Sequence, residues 1–164
     1  MKKIILIIVM IFFFLFNFTF AQTRYAVLPF QNGEGKIDLN LWSYLLQDSI
    51  QKVLATLDPE EKYCQIVPAD SVEEILADLN VDPNNPQYPT DMWKAVKILN
   101  VDKVISGIFY FRGNRLIINA YIYDVKTKLA DPRYKVENIF KEPDKALSAV
   151  EIIVNKMKPA FLGN

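Results

Sequence analysis

Three features of this sequence have residue types and spacing suited to chemistry: a glycine-bracketed turn, adjacent carboxylates and a single cysteine. The turn is Gly33-Glu-Gly35-Lys36, directly after the apolar run Tyr25 to Phe30. Glycines that end a strand and open a helix are how backbone N–H groups cradle a phosphate. The spacing excludes that use here. A P-loop needs Gly-x-x-x-x-Gly-Lys-Ser/Thr, and counting back from Gly35-Lys36 finds Phe30 in place of the first glycine and Ile37 in place of the hydroxyl. The dinucleotide fingerprint fails as well, because Asp38 stands where its third glycine belongs. The turn is read as a way of leaving a strand.

The carboxylates carry no better signal. Glu60-Glu61 and Glu73-Glu74 are adjacent pairs, and neighbours in sequence diverge on a helix or turn instead of converging on a substrate. Asp82, Asp91, Asp102, Asp124 and Asp131 fall at turns and caps, where aspartate serves the local backbone, and no calcium-loop spacing occurs. With no histidine in the chain, Ser-His-Asp and Cys-His catalysis and the common zinc sets are excluded. An enzyme working through carboxylates alone, such as a glycosidase, needs two acids converging at a set separation. The expectation is therefore no catalytic residue, no metal and no cofactor. Cys64 is the only cysteine and lies in the alternating run Tyr-Cys-Gln-Ile-Val, so it is expected to be buried and inert.

The ends of the chain set the compartment. Lys2-Lys3, the apolar run Ile4 to Phe16, and Thr19 and Ala21 before a cut match the regions of a secretory signal peptide over residues 1–21. Asn17 and Thr19 interrupt the run short of the ~20 residues a spanning helix needs, which favours cleavage over a retained anchor. A lipid anchor needs cysteine after the cut, and Gln22 stands there, so the expectation is a periplasmic protein that is not a lipoprotein. Removing Lys2 and Lys3 from 19 basic residues leaves 17 against 19 acidic, with no basic excess for a nucleic acid. Residues 22–164 are enough for one ordinary domain.

The elements that must carry any site follow from periodicity. Tyr25 to Phe30 is apolar on both faces, as in a strand buried on both sides, and Pro29 marks an edge, a bulge or an early end. Trp42, Leu45, Leu46, Ser49, Ile50, Val53, Leu54 and Leu57 recur at helical spacing, with Asp38 or Asn40 as cap and Asp58-Pro59 as stop. Tyr63 to Val67 reads as a strand, and Asp70-Ser-Val-Glu73 as a capping pattern for a helix bearing Val72, Ile75, Leu76 and Leu79. A stiff proline-rich loop, Asn80 to Pro89, leads to Thr90 as cap of a short helix closed by a left-handed Asn100. Lys103 to Phe111 and Arg115 to Asp124 form a hairpin about Gly113-Asn114. A weaker strand around Arg133 to Ile139 and a helix opened by Glu142-Pro143 complete the order β-α-β-α-α-β-β-β-α. This is an α/β (α+β) fold: a single domain with a mixed five-stranded sheet and helices packed on it.

Two surfaces are candidates for partner binding. Phe109, Phe111, Tyr121 and Tyr123 are expected on one face of the hairpin, largely as core, with Tyr121 and Tyr123 as the polar-tipped part of an interface. The proline-rich loop, with Pro83, Pro86, Tyr88 and Pro89, is the other, because a stiff segment loses little entropy on docking.

Val27-Leu-Pro-Phe30 ahead of an amphipathic helix resembles the start of the TolB N-terminal-like domain, seen also in FlgO-, CsgG- and LpoB-type envelope proteins. Ala95 to Phe109 and Gly113 to Lys128 resemble that group's pattern of helix, Gly-Val-Asp-Tyr-Val-Leu-x-Gly, turn, long strand and Asp-x-x-Thr-Gly. Gln65-Ile-Val leading into Ser71 to Leu76 is similar too. The chain departs from the pattern at Asn100 and Lys128, where glycine is common, and no appended propeller or helical-repeat module is expected. The resemblance implies an exported α/β domain of residues 22–164 that works non-enzymatically by contact with envelope proteins, with self-association left open. The alternative is a small-ligand sensor or carrier that uses the hairpin aromatics.

Overall fold

Tyr25 and Val27 face one side of a strand, Ala26 and Leu28 the other, and the two sides head two separate cores. The structure is a computed structural model that describes residues 22–162. The leader expected over residues 1–21 lies outside the described residues. Strand β1 (Thr23–Val27) stops where Pro29 removes a backbone donor, and pairing resumes as the two-residue β2 (Gln31–Asn32). Then come a 3₁₀ turn (Ile37–Leu39), α1 (Asn40–Leu57), β3 (Cys64–Ile66), α2 (Ala69–Asp78) and α3 (Tyr88–Leu99). Strands β4 (Lys103–Arg112), β5 (Arg115–Asp124) and β6 (Val136–Lys141), a 3₁₀ turn (Pro143–Ser148) and α4 (Ala149–Leu162) close the order.

The sheet runs β3-β1-β4-β5-β6, with β2 alongside β4. Pairings of β1 with β3, β1 with β4 and β2 with β4 are parallel, and the β4-β5 and β5-β6 pairings are antiparallel. The mixed sheet agrees with the expected fold. The expected five strands become six, because the apolar run through Phe30 divides at Pro29 and its second piece pairs with β4 on its own.

On one face Leu46, Ile50 and Leu54 of α1 and Val150, Ile153, Val154, Met157 and Phe161 of α4 bury Tyr25, Val27, Ile105, Phe109, Leu116, Ile118 and Ile122. Tyr25 fixes α4 to the sheet: its hydroxyl donates to Ala160 O at 2.8 Å, and its ring lies 4.5 Å from that of Phe161. On the other face Val72 and Leu76 of α2 and Tyr88, Met92, Ala95, Val96 and Leu99 of α3 bury Ala26, Leu28 and Val104.

The helices begin differently from expectation. None of Asp38, Asn40 or Thr90 caps a helix through its side chain, and α2 starts at Ala69 behind Pro68 without the expected capping box. Asn40 is engaged elsewhere, donating to Asp82 Oδ1 and accepting from Asn32. The buried stripe of α1 also runs through Ser43 and Gln47 and leaves Val53 exposed, because Gln47 Nε2 reaches Val27 O at 3.1 Å at the end of β1.

The two positions where the resembled pattern has glycine, Asn100 and Lys128, both adopt left-handed backbone, with φ of 50° and 58°. Asn100 closes α3 as expected, asparagine being the commonest substitute for glycine there. Lys128 sits in the turn after β5, which Asp124 organises by accepting from Thr127 N at 3.0 Å and Lys103 Nζ at 2.9 Å. Those bonds, that from Lys103 first, pull the Asp124 carboxyl down to about 2. Strand β6 carries a bulge between Ile118 and Ala120 of its partner, where Asn138 has φ 59° and its N–H donates to Asn119 Oδ1 at 2.7 Å.

Two outcomes are expected. Gly107 lies under the Phe30 ring, and a Cβ there runs into that ring and Asn119 O; Gly107→Ala is therefore expected to cost more than about 3 kcal/mol in chemical denaturation. The Asp124 carboxyl is depressed in the folded state, so its stabilisation is complete above the ordinary aspartate range and is lost as pH falls through about 2. Thermal unfolding should then show the Tm gap between wild type and Asp124→Asn narrowing as pH is lowered from about 5 to about 2.

Candidate functional site

The glycine turn is closed to anions by its own hydrogen bonds. Gly33 N–H donates to Phe109 O (2.9 Å), Glu34 N–H to Asn32 Oδ1 (3.1 Å) and Gly35 N–H to Asn32 O (3.2 Å). Glu34 swings its carboxylate onto Phe111 N at 2.8 Å, continuing the edge of β4 where β2 has run out. The turn is a strand exit with its donors in use, as its spacing predicts.

Beside it, buried Asn32 ties three segments together. Its backbone N–H donates to Pro83 O at 2.9 Å, and its side-chain amide nitrogen lies 2.7 Å from Lys36 O, 2.9 Å from Asn40 Oδ1 and 3.3 Å from Asn84 Oδ1. The proline-rich loop is thereby held against the start of α1. Pro83 is buried under this network, and Tyr88 is buried too, its hydroxyl donating to Pro29 O at 2.6 Å. The expectation that both contact a partner is corrected: they secure the loop from inside. Pro86 and Pro89 are exposed.

The hairpin brings a second correction. Its turn has exactly two residues, with φ 62° at Gly113, so Arg112 faces Arg115, Phe109 faces Ile118 and Ser106 faces Tyr121. Phe109 and Phe111 thus share the α1/α4 face with Leu116 and Ile118, while Tyr121 and Tyr123 lie on the opposite face. A two-residue turn pairs odd positions of one strand with even positions of the other, so these four aromatics cannot share a side.

That opposite face is only half covered. Helices α2 and α3 pack over β3, β1 and the start of β4, whereas β5 and β6 take their principal helix packing, from α4, on the far side. Ile108, Tyr110, Tyr121 and Tyr123 are half-buried there, Ile117 is buried among its neighbours, and Phe140, directly opposite Ile117, is 49% exposed. At one border, Trp93 of α3 meets Tyr123 edge-on at 5.9 Å, Lys128 Nζ sits 5.5 Å over the Trp93 ring, and Tyr121 lies 5.9 Å from Tyr123. Pro89 is one helical turn before Trp93 on α3.

Tyr121 donates to Glu137 Oε1 at 3.2 Å, and burial followed by that carboxylate pushes its hydroxyl up to about 12. Burial raises Tyr123 as well. Lys135, at 2.8 Å, holds Glu137 low, so the surface presents neutral phenols beside a fixed carboxylate. Such a surface offers broad apolar area and few, oriented polar groups, the composition of an interface core. Sequence reading missed Trp93, Tyr110, Ile117 and Phe140; the register of a two-residue turn was the signal that would have placed Tyr110 and Ile117 beside Tyr121.

Cys64 is buried and free, as expected, and burial followed by Asp58 pushes its thiol up to about 11. Asp58 accepts from the backbone N–H groups of Lys62, Tyr63 and Cys64 at 2.6–3.0 Å, a structural use of a carboxylate at the end of α1. Among the described residues no three His, Cys, Asp or Glu side chains cluster as metal ligands.

A mixed sheet in the order β3-β1-β4-β5-β6, with helices on both faces, defines a small α/β domain of LpoB-like fold. The solution structure of Escherichia coli LpoB is similar with a TM-score of 0.52 at 11% identity, over 74% of this chain and 58% of that one. TolB from Acinetobacter baumannii is similar over 87% of this chain and 29% of its own, at 14% identity and a TM-score of 0.47. A PelC dodecamer from Paraburkholderia phytofirmans is similar over 85% and 88%, at 14% identity and a TM-score of 0.45. The chain thus spans less than two thirds of that Escherichia coli LpoB chain and of TolB, and 80% of the LpoB C-terminal domain from Salmonella enterica. The sequence matches no protein-family model and no curated protein.

The inward role of Tyr88 has a direct check. Tyr88→Phe leaves Pro29 O without its 2.6 Å donor, and the expected loss is about 1–3 kcal/mol in urea denaturation with the fold otherwise intact.

Proposed function

We propose that this chain is an exported cell-envelope protein that acts without catalysis, docking another protein over the uncovered half of its sheet. The observation that carries the reading is the surface of Tyr110, Tyr121, Tyr123 and Phe140 around buried Ile117, which the helices leave largely open on β4, β5 and β6. Contiguous apolar area rimmed by polar groups marks interaction sites on soluble domains. Tyrosine and tryptophan suit it because they bring large contact area with few rotatable bonds.

Several features support the reading. The phosphate-type turn is occupied by its own hydrogen bonds, and the carboxylates with identified roles serve backbone, as Asp58 does, or ion pairs, as Asp124 does. No described helix is long and apolar enough to cross a membrane. The leader, residues 1–21, we read as a cleaved export signal ahead of a single domain. Of the loop residues, Pro86 and Pro89 are exposed and Pro89 lies one helical turn before Trp93, which supports a contribution from the loop beside Tyr121 and Tyr123.

A photo-crosslinking residue at position 110 or 121 should give a discrete adduct in intact cells, and the same residue at exposed Lys52 on α1 should not. The double variant Tyr110→Ala, Phe140→Ala should abolish the adduct formed from position 121. Equal labelling from position 52, or no adduct from either sheet position, would sink the reading.

A further inference from the structure

The hairpin tip carries a charge arrangement that folding does not require. Arg112 and Arg115 lie directly opposite each other on the two strands that flank Gly113-Asn114, and both are exposed. Like charges in that relation destabilise a strand pair. Lys141 of β6 pairs across from Leu116, the residue after Arg115, and Lys145 follows in the next turn. Among the described residues Arg112, Arg115 and Lys141 make no ion pair, and Lys145 has only Glu142, at 3.0 Å.

Three of these side chains, those of Arg115, Lys141 and Lys145, line a concavity. A cavity of about 340 Å³ is lined by Arg115, Phe140, Lys141, Glu142 and Lys145. Three cations against one carboxylate leave an excess of two positive charges in its lining, before the Arg112 guanidinium beside Arg115 is counted. We propose that this cavity binds a phosphate group.

A phosphate fits on three grounds. It carries close to two negative charges near neutral pH and so matches the excess. Its oxygens accept the paired N–H donors of a guanidinium in bidentate fashion, which gives Arg115 a role that its strand position does not. Its arrival beside Arg115 places a negative charge next to the Arg112–Arg115 pair and offsets their repulsion. Phe140, half exposed at the wall, adds apolar contact for whatever the phosphate is attached to. The same chemistry is offered by free phosphate and by a phospholipid headgroup. The site goes beyond the docking reading above, since it depends on the tip cations and shares only Phe140 with that surface.

The test uses the full-length protein, the double variant Arg115→Gln, Lys141→Gln, and Lys52→Gln as a remote loss of one cation. Inorganic phosphate is titrated at low ionic strength, following backbone amide shifts at residues 112–116 and 140–145. Co-sedimentation with phosphatidylglycerol and with phosphatidylcholine vesicles is run in parallel, the leader being common to all three proteins. Saturable shifts confined to the tip, at least about tenfold weaker in the double variant and unchanged in Lys52→Gln, are expected for a free-phosphate site. Preference for phosphatidylglycerol vesicles that the double variant loses, without saturable shifts from inorganic phosphate, assigns the site to a headgroup. Wild type and double variant indistinguishable with both probes, or Lys52→Gln reducing binding as much as the double variant, overturns the proposal.

Discussion

The length of one turn governs this molecule. Because Gly113 and Asn114 alone join β4 to β5, Arg112 must face Arg115, and every other cross-strand pair follows from that single register. The register sends Ile105, Phe109, Leu116, Ile118, Ala120 and Ile122 to the side where α1 and α4 lie, and they become core. It sends Tyr110, Ile117, Tyr121 and Tyr123 to the other side, where the coverage by α2 and α3 reaches β5 only at the Trp93–Tyr123 contact. A turn longer by one residue would exchange the two sets on β5 and leave the sheet with tyrosines under α4.

The unequal covering has a simple geometric origin. A helix is ~10 Å across and strands are ~4.8 Å apart, so each helix shelters about two strands. Helices α2 and α3 account for β3, β1 and the start of β4, and the long second half of the hairpin extends past them. On the opposite face α4 lies over β5 and β6 while α1 lies over β1 and β3. The connection from α2 to α3 is correspondingly short and stiff, and Asn32 and Tyr88 hold it in place from within.

Local chemistry was legible in the sequence where a residue's own backbone preference decides the outcome. The hairpin dipeptide, the strand break at Pro29, the left-handed Asn100 and the failure of the glycine turn as a phosphate loop could all be read from residue types and spacing. Long-range partners were not. Nothing in Asn80 to Pro89 shows that Pro83 and Tyr88 point inward, because that depends on Asn32 and Pro29, more than fifty residues earlier. Asn40 looks like a cap until Asn32 and Asp82 claim its amide. The grouping of Phe109 and Phe111 with Tyr121 and Tyr123 failed for a different reason: the parity of the turn was present in the sequence and decides the faces, and it places them on opposite sides. Tyr121 and Tyr123, offered as interface residues from their types alone, lie on β5 on the less covered face, and their company with Tyr110, Ile117 and Phe140 there needed the register and the strand order.

The irregular β6 bears on how copies or partners of this domain meet. Its ladder to β5 is interrupted at Asn138, and Lys135 and Glu137 put charges along its rim. A kinked, charged border cannot easily accept another extended chain in register. Concentrated protein should therefore resist edgewise stacking into continuous ribbons through this border.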